Sequence, residues 1–225
     1  MLSQLNREIN SILERDPAAK SKLEVILCYP GFHSVLTYRF TNWMWRKGLR
    51  LFPRWVSQIS RFFTGIEIHP GATIGKNFFI DHGMGVVIGE TATIGDNVTI
   101  YHGVTLGGVS AKPGKRHPQV GNDVIIGSGA QVLGPINIGN GARIGSNAVV
   151  VRDVPDAATM VGVPARNVSK DIKEDHKFHA YGMSEELPDV VMRNFEEMDK
   201  VIRELTKRLA DLEAGGEDTA KKWVG

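Results

Sequence analysis

VIGETATIGDNVTIYHGVTLGG, Val87–Gly108, places an aliphatic residue at every sixth position: Ile88, Ile94, Ile100 and Leu106. The same step runs back through Ile80, Ile74 and Ile68, and forward through Val120, Ile126, Val132, Ile138, Ile144 and Val150. Glycine follows the aliphatic at positions 75, 89, 95, 107, 121, 127, 139 and 145. A small or β-branched residue recurs two positions before it, as at Ala72, Ala92, Val98, Val104, Ala130, Ala142 and Ala148. Neither the 3.6 period of a helix nor the alternation of a simple strand yields this pattern. Short strands turning around a triangular prism do yield it, three hexads to a coil, with aliphatics stacked inside and Gly, Asn or Asp at the corners. Residues 66–152 therefore read as roughly four to five coils of parallel β-helix.

Two breaks interrupt the rhythm. Two residues are inserted between Ile80 and Ile88, just after Asp81-His82, and the segment GGVSAKPGKRHPQ, 107–119, pushes out between Leu106 and Val120. Insertions in a solenoid become loops, and loops on a rigid scaffold are where sites are built. Surface Asp-His and Arg-His pairs are common as decoration. Here Asp81-His82 and Arg116-His117 fall at the only two breaks, which favours a site.

The 225 residues are 42% hydrophobic with a net charge of +2, a soluble globular balance that gives no reason to expect a nucleic-acid partner. The N-terminus MLSQLNREINSILERD lacks the apolar run of a signal peptide, and no spanning segment follows, so a cytoplasmic protein without membrane contact is expected. Cys28, the one cysteine, excludes an internal disulfide, and its VILCYP setting suggests a buried thiol.

The architecture expected is α+β. Residues 1–64 form an α-helical region, 65–168 the β-helix, and 169–225 a C-terminal helix and tail. Asp16-Pro17 reads as a helix start with Asp16 as N-cap, and Pro53 as the divider of the helical stretch that follows. Trp43, Trp45 and Trp55 are expected to pack on one another or on the first coil, a membrane-surface helix being the weaker alternative. Val191, Phe195, Met198, Ile202, Leu205, Leu209 and Leu212 alternate by four and three, the pattern of a coiled coil, with a single docked amphipathic helix at near parity. The tail from Gly215 is expected to be disordered.

The segments ERDPA, GFHSVLTYRFTNWMW, IHPGATIG, IDHGMGVVIGETATIGDNVTI, VTLGG, KRHPQVG and GVPAR, in this order across roughly 14–168, closely resemble the serine O-acetyltransferases. These are hexapeptide-repeat acyltransferases. The resemblance implies a left-handed coil, an exception to the right-handed crossover preference. It also implies acetyl-CoA as co-substrate, L-serine as acceptor, O-acetyl-L-serine as product, feedback inhibition by L-cysteine, and no metal.

The chemistry implied by the resemblance suits the residues. Attack of a hydroxyl on a thioester needs a base, and His82 takes that role. The acid fifteen positions earlier, which fixes such a base, is here Glu67, where Asp is usual. Asp16 and Asp81 would face the ammonium of serine, and Arg116 and His117 its carboxylate. Gly107, Gly108, Ser128 and Ala148 would lie near the pantetheine, and Arg143 or Arg166 near the phosphates. A homotrimer is implied, with His82 and the Arg116 loop meeting across a subunit boundary. A dimer of trimers stands level with it, because only fifteen residues precede Asp16. Many relatives end in an isoleucine that enters the following enzyme, the O-acetylserine sulfhydrylase; this chain ends KKWVG, and that complex is not expected.

Three rivals share parts of this pattern. Another hexapeptide acetyltransferase with a sugar or amine acceptor would not need Asp16, Arg116 and His117. A carbonic-anhydrase-like zinc enzyme would need three converging imidazoles, for which His82, His102 and His117 are numerous enough. A non-catalytic scaffold would be indifferent to His82.

Overall fold

The computed structural model describes residues 2–168, together with Glu204 and Thr206, both helical and exposed. The chain divides into two compact units, Met1–Phe178 and His179–Gly225. The heptads expected in the second unit, and the tail from Gly215, lie outside the described residues apart from those two positions.

Four helices, α1 (Leu2–Arg15), α2 (Lys22–Cys28), α3 (Pro30–Arg46) and α4 (Leu51–Thr64), precede fifteen short strands. In chain order these are β1 (Glu67–Ile68), β2 (Thr73–Ile74), β3 (Phe79–Ile80), β4 (Val87–Ile88), β5 (Thr93–Ile94), β6 (Thr99–Ile100) and β7 (Thr105–Gly107). Then follow β8 (Gln119–Val120), β9 (Ile125–Ile126), β10 (Gln131–Leu133), β11 (Asn137–Ile138), β12 (Arg143–Ile144), β13 (Val149–Val150), β14 (Thr159–Val161) and β15 (Arg166–Asn167). They pair into three walls: β1-β4-β7-β10-β13, β2-β5-β8-β11, and β3-β6-β9-β12-β14-β15. All pairs are parallel except β14 with β15.

The register makes three internal columns. On the first wall Ile68, Ile88, Leu106, Val132 and Val150 lie over one another. On the second, the column is Ile74, Ile94, Val120, Ile138 and Val154. On the third, it is Ile80, Ile100, Ile126, Ile144 and Met160. Every one of these residues is buried, and each contributes roughly 1.5–3 kcal/mol of transfer free energy before conformational entropy is subtracted. Val154 and Met160 complete the fifth coil that Val150 opens, and they fall out of the hexad rhythm, since they follow Ile138 and Ile144 by sixteen residues rather than eighteen. Its strand β14 is then closed by the antiparallel β15.

The edge between the second and third walls explains the Gly-Asn/Asp corners. The side chains of Asp96, Asn122, Asn140 and Asp156 each accept the backbone N–H of the coil before: Lys76, Asp96, Asn122 and Asn140, at 2.6, 2.8, 2.8 and 2.7 Å. Gly95 must be glycine for this ladder, because a Cβ there would run into the Asn122 side-chain oxygen and the Gly121 carbonyl.

Strand N–H groups donate to the next coil, for example Thr73 to Ala92 and Gly75 to Ile94, so the first coil's carbonyls point toward the helices. Side chains meet them there. Tyr38 Oη donates to Ala72 O at 2.7 Å, Asn42 Nδ2 to Pro70 O at 2.8 Å, Arg39 to the Ile74 and Gly75 carbonyls, and Arg15 to Asn77 O at 2.6 Å. Burial lowers the Arg15 pKa to about 10, and its guanidinium covers the Phe79 ring.

Several local expectations are corrected. Asp16 is not an N-cap: it lies in the turn after α1, its Oδ1 accepting the Ala18 N–H, while Ser21 caps α2 by accepting from Glu24 N. Pro53 does not divide the helical stretch. The break falls at 47–50 with Gly48 at φ 90°, and Pro53 lies in the first turn of α4, where its missing N–H costs nothing. Cys28 is exposed, because α2 buries Val25 and leaves its last residue outside. Of the tryptophans, Trp45 meets His69 of the first coil edge-on at 5.0 Å, as one of the two expectations had it, whereas Trp43 stacks on Phe40 and Trp55 lies tilted against Phe52 at 6.0 Å.

Asn122→Ala removes one rung of the ladder and is expected to cost on the order of 1–2 kcal/mol. Asn122→Asp, which keeps the acceptor, costs less; chemical denaturation of the two variants checks the difference.

Candidate active site

The inserted residues after Ile80 make a turn, 81–86, on the edge between the third and first walls. His82 has φ 58°, in the left-handed region that non-glycine residues seldom occupy, followed by Gly83 and Gly85 at φ 84° and 78°. The turn holds the imidazole out from the prism, its side chain 74% exposed, with Nε2 3.8 Å from Asp81 Oδ1. One coil above, the His102 ring faces it edge-on at 5.9 Å.

Asp81 is half-buried and its pKa is raised: burial is the main cause, the His82 side chain opposes it, and the charge of Asp16 adds to it. The two carboxylates thus sense each other, which suits a cation bound between them. Asp16 is held by the Tyr29 hydroxyl, which donates to its Oδ2 at 2.6 Å. Burial and this acidic partner raise the Tyr29 pKa.

Glu67 is not turned to His82. On β1 it pairs with Arg61 of α4, Oε2 to Nη1 at 2.9 Å, so among the described residues the carboxylate beside His82 is Asp81. The cause is the sharp C-terminus of α4 at Gly65, φ 70°, which brings the helix's last turn back beside β1.

The second set lies on the edge between the first and second walls. There the turn Gly89-Glu90-Thr91 receives the end of the 108–118 loop. Arg116 Nη2 pairs with Glu90 Oε2 at 3.1 Å. His117 is 7% exposed, and its Nδ1 lies 2.8 Å from Thr91 Oγ1. Burial first, and then the Arg116 charge, lower the His117 pKa. Gly89 seats this ring, since a Cβ there would fall on it. Within one chain the two sets stand on different edges and do not join. The same division separates His82 and His102 from His117.

The residues expected at the acetyl donor are spread likewise. Ser128 stands on the His82 edge, hydrogen-bonded to Ser146 at 2.8 Å. Arg143 and Arg166 are exposed on the third wall, Gly107 ends β7, and Gly108 packs under the Arg116 side chain. Ala148, expected beside the donor, is wholly buried in the core, main chain included, and offers no surface to a ligand in the single chain. Sequence reasoning missed Tyr29, Glu90 and Thr91. The last two are in the opening stretch, but their partners lie about 26 residues on.

Stacked three-walled coils with loops at their edges are the architecture of the hexapeptide-repeat proteins. A family described as "Bacterial transferase hexapeptide (six repeats)" matches residues 117–152. The serine acetyltransferase of Bacillus subtilis (strain 168) is 48% identical over 207 residues, 92% of this chain and 94% of its own. That of Helicobacter pylori (strain ATCC 700392 / 26695) is 54% identical over 167 residues, 74% of this chain and 98% of its own. Among solved structures, Neisseria gonorrhoeae serine acetyltransferase in complex with serine superposes with a TM-score of 0.72 at 40% identity, covering 74% of this chain and 68% of that one. A serine acetyltransferase complex with cysteine superposes with a TM-score of 0.73 at 39% identity, covering 74% of this chain and 69% of that one. The chain belongs to the serine acetyltransferase family.

His69, beside this second set, has its pKa lowered from 6.5 to about 4, by burial first and then by the Arg54 charge. Between those two values the unfolded chain binds the proton and the folded one does not, so stability is full above about 6.5 and is lost toward about 4. The melting temperature is expected to fall through that window and to fall less in His69→Gln; equal slopes in the two proteins would count against it.

Proposed function

We infer that the chain transfers the acetyl group of acetyl-CoA to the hydroxyl of L-serine, giving O-acetyl-L-serine and CoA, the entry step to cysteine. The observation that carries this is His82, held in a left-handed turn beside Asp81, with Asp16 and Tyr29 brought to the same corner. His82 takes the hydroxyl proton as the serine oxygen attacks the thioester carbonyl. The C–S bond then breaks, and the proton is returned to the leaving thiolate. A carboxylate alongside stabilises the imidazolium formed in between. We assign this role to Asp81, 3.8 Å from His82, because Glu67 is engaged by Arg61.

Serine carries opposite charges at two places, and the two sets answer them. Asp16 and Asp81 receive the ammonium; Arg116 and His117 receive the carboxylate. L-Cysteine differs only in a thiol for the hydroxyl, so the same groups would hold it as an inhibitor. Because the sets stand on separate edges of one chain, the reading requires a second copy to complete the site. A homotrimer meets this need, with a dimer of trimers as the larger assembly. The exposed Phe62 and Phe63 of α4, 82% and 79% accessible in the single chain, support such an association. The coil is taken as left-handed, as in the acyltransferases it resembles. The donor would lie along the His82 edge past Ser128, its phosphates toward Arg143 or Arg166, with Gly107 and Gly108 near the pantetheine. Among the described residues no helix is long and apolar enough to cross a membrane; the cytoplasmic location is part of the proposal.

Release of free CoA thiol from acetyl-CoA, with and without L-serine, tests the reading. Serine-dependent release is expected, and serine-independent or absent release would redirect attention to sugar and amine acceptors. His82→Ala is expected to lower turnover by roughly 10²–10⁴, and Glu67→Gln by clearly less; equal losses would restore Glu67 to the base. Tyr29→Phe leaves Asp16 unsupported and should raise the KM for serine several-fold, about 1 kcal/mol of hydrogen bonding; an unchanged KM would reduce Tyr29 to packing.

A further inference from the structure

Thr91 gathers an unusual number of polar contacts for one small side chain. Its Oγ1 accepts the backbone N–H of Arg116 at 3.1 Å and of His117 at 3.3 Å. A hydroxyl oxygen has two lone pairs, and these contacts use both. Its own hydrogen is left for His117 Nδ1, 2.8 Å away. The Thr91 backbone N–H donates to that same nitrogen at 3.2 Å, and the Thr91 carbonyl accepts from Lys115 Nζ at 2.7 Å. Most of the contacts tying the end of the long loop to the preceding coil therefore converge on one residue, with Arg116–Glu90 and Lys115–Thr93 beside it.

Two donors directed at one ring nitrogen fix its chemistry. A backbone N–H cannot accept, so a hydrogen on Nδ1 would meet another hydrogen. Both the Nδ1–H tautomer and the doubly protonated ring are incompatible with this contact. The proton must be on Nε2. We propose that Thr91 is a positioning residue that fixes His117 as the neutral Nε2–H tautomer, so that the Arg116-His117 pair offers the acceptor's carboxylate one cation and one uncharged donor. This rests on reading that pair as the carboxylate grip. The charged and titratable groups facing His117 are Arg116, Lys115 and Glu90 on its own edge and His69 from the first coil. Glu90 occupies one Arg116 nitrogen, leaving the other guanidinium N–H groups for a ligand. A side chain at position 89 would fall on Nε2 itself, and glycine there removes that obstruction.

The test uses the full chain with 15N-labelled histidine, the His117 signals being assigned by their loss in His117→Gln. Two-bond 1H–15N spectra at pH 7 are recorded for the wild type, Thr91→Ser and Thr91→Val, the last keeping the shape and the backbone N–H but not the hydroxyl. Wild type and Thr91→Ser are expected to show a bare Nδ1 and a protonated Nε2. Thr91→Val is expected to show a mixture of tautomers and a raised ring pKa. In the same proteins the serine KM should rise about tenfold in Thr91→Val, the cost of roughly one charge-assisted hydrogen bond, recover in Thr91→Ser, and leave the acetyl-CoA KM within about twofold. An Nδ1–H or imidazolium ring in the wild type, or a Thr91→Val spectrum identical to wild type, overturns the assignment. If the spectra change as expected while the serine KM does not, the tautomer assignment stands and the carboxylate-gripping role of His117 falls.

Discussion

Three columns of aliphatic side chains must stay in register from coil to coil, and nearly everything else about the prism follows from that demand. A coil that gains residues cannot place them inside, because the next aliphatic has to return beneath the one before it. Extra length is forced out at an edge. The step from Ile68 to Ile88 carries two more residues than the step from Ile88 to Leu106, and these form the left-handed turn of His82. The step from Leu106 to Val132 carries eight more, and these form the loop ending at Arg116 and His117. A core that tolerates no slippage thus fixes where polar groups appear, and to within a side chain's reach.

The helical region contributes position more than chemistry. Arg15 and Arg39 bind carbonyls of the first coil, and Arg39 is also paired with Glu8 of α1 at 3.2 Å. With α1 held at its last turn, the next residue, Asp16, is delivered beside Asp81, and Tyr29 from the end of α2 secures it. Three separate pieces of chain converge on one corner without any of them being long or flexible. The opposite edge uses the same economy: one threonine orders the end of a loop.

All thirteen hexad aliphatics are buried as the spacing implies, because a step of six encodes a wall directly in the sequence. The fifth coil, which Val150 opens in step, was only half legible for the same reason: Val154 and Met160 arrive two residues early. Asp81, His82, Arg116 and His117 could be picked out because they fall where the rhythm fails. Tyr29 and Thr91 could not, since a helix-end tyrosine and a corner threonine are ordinary until their partners, 13 and 26 residues away, are in place. The spacing of fifteen between Glu67 and His82 says nothing of Arg61, which claims the glutamate. Cys28 misleads because apolar neighbours on a helix of seven residues occupy both of its faces, only one of which is covered.

The donors from Tyr38, Asn42, Arg39 and Arg15 along the first coil have a meaning apart from folding. A parallel coil ends in a row of outward carbonyls, which is a template for another strand and, repeated, for a fibre. Here those acceptors are already occupied by side chains of α1 and α3, and at the far end β15 turns back antiparallel on β14. Along the second wall of the first coil, and on the third wall at β14, the edge is thereby withdrawn from a neighbouring strand, by some of the same contacts that carry Asp16 to its place.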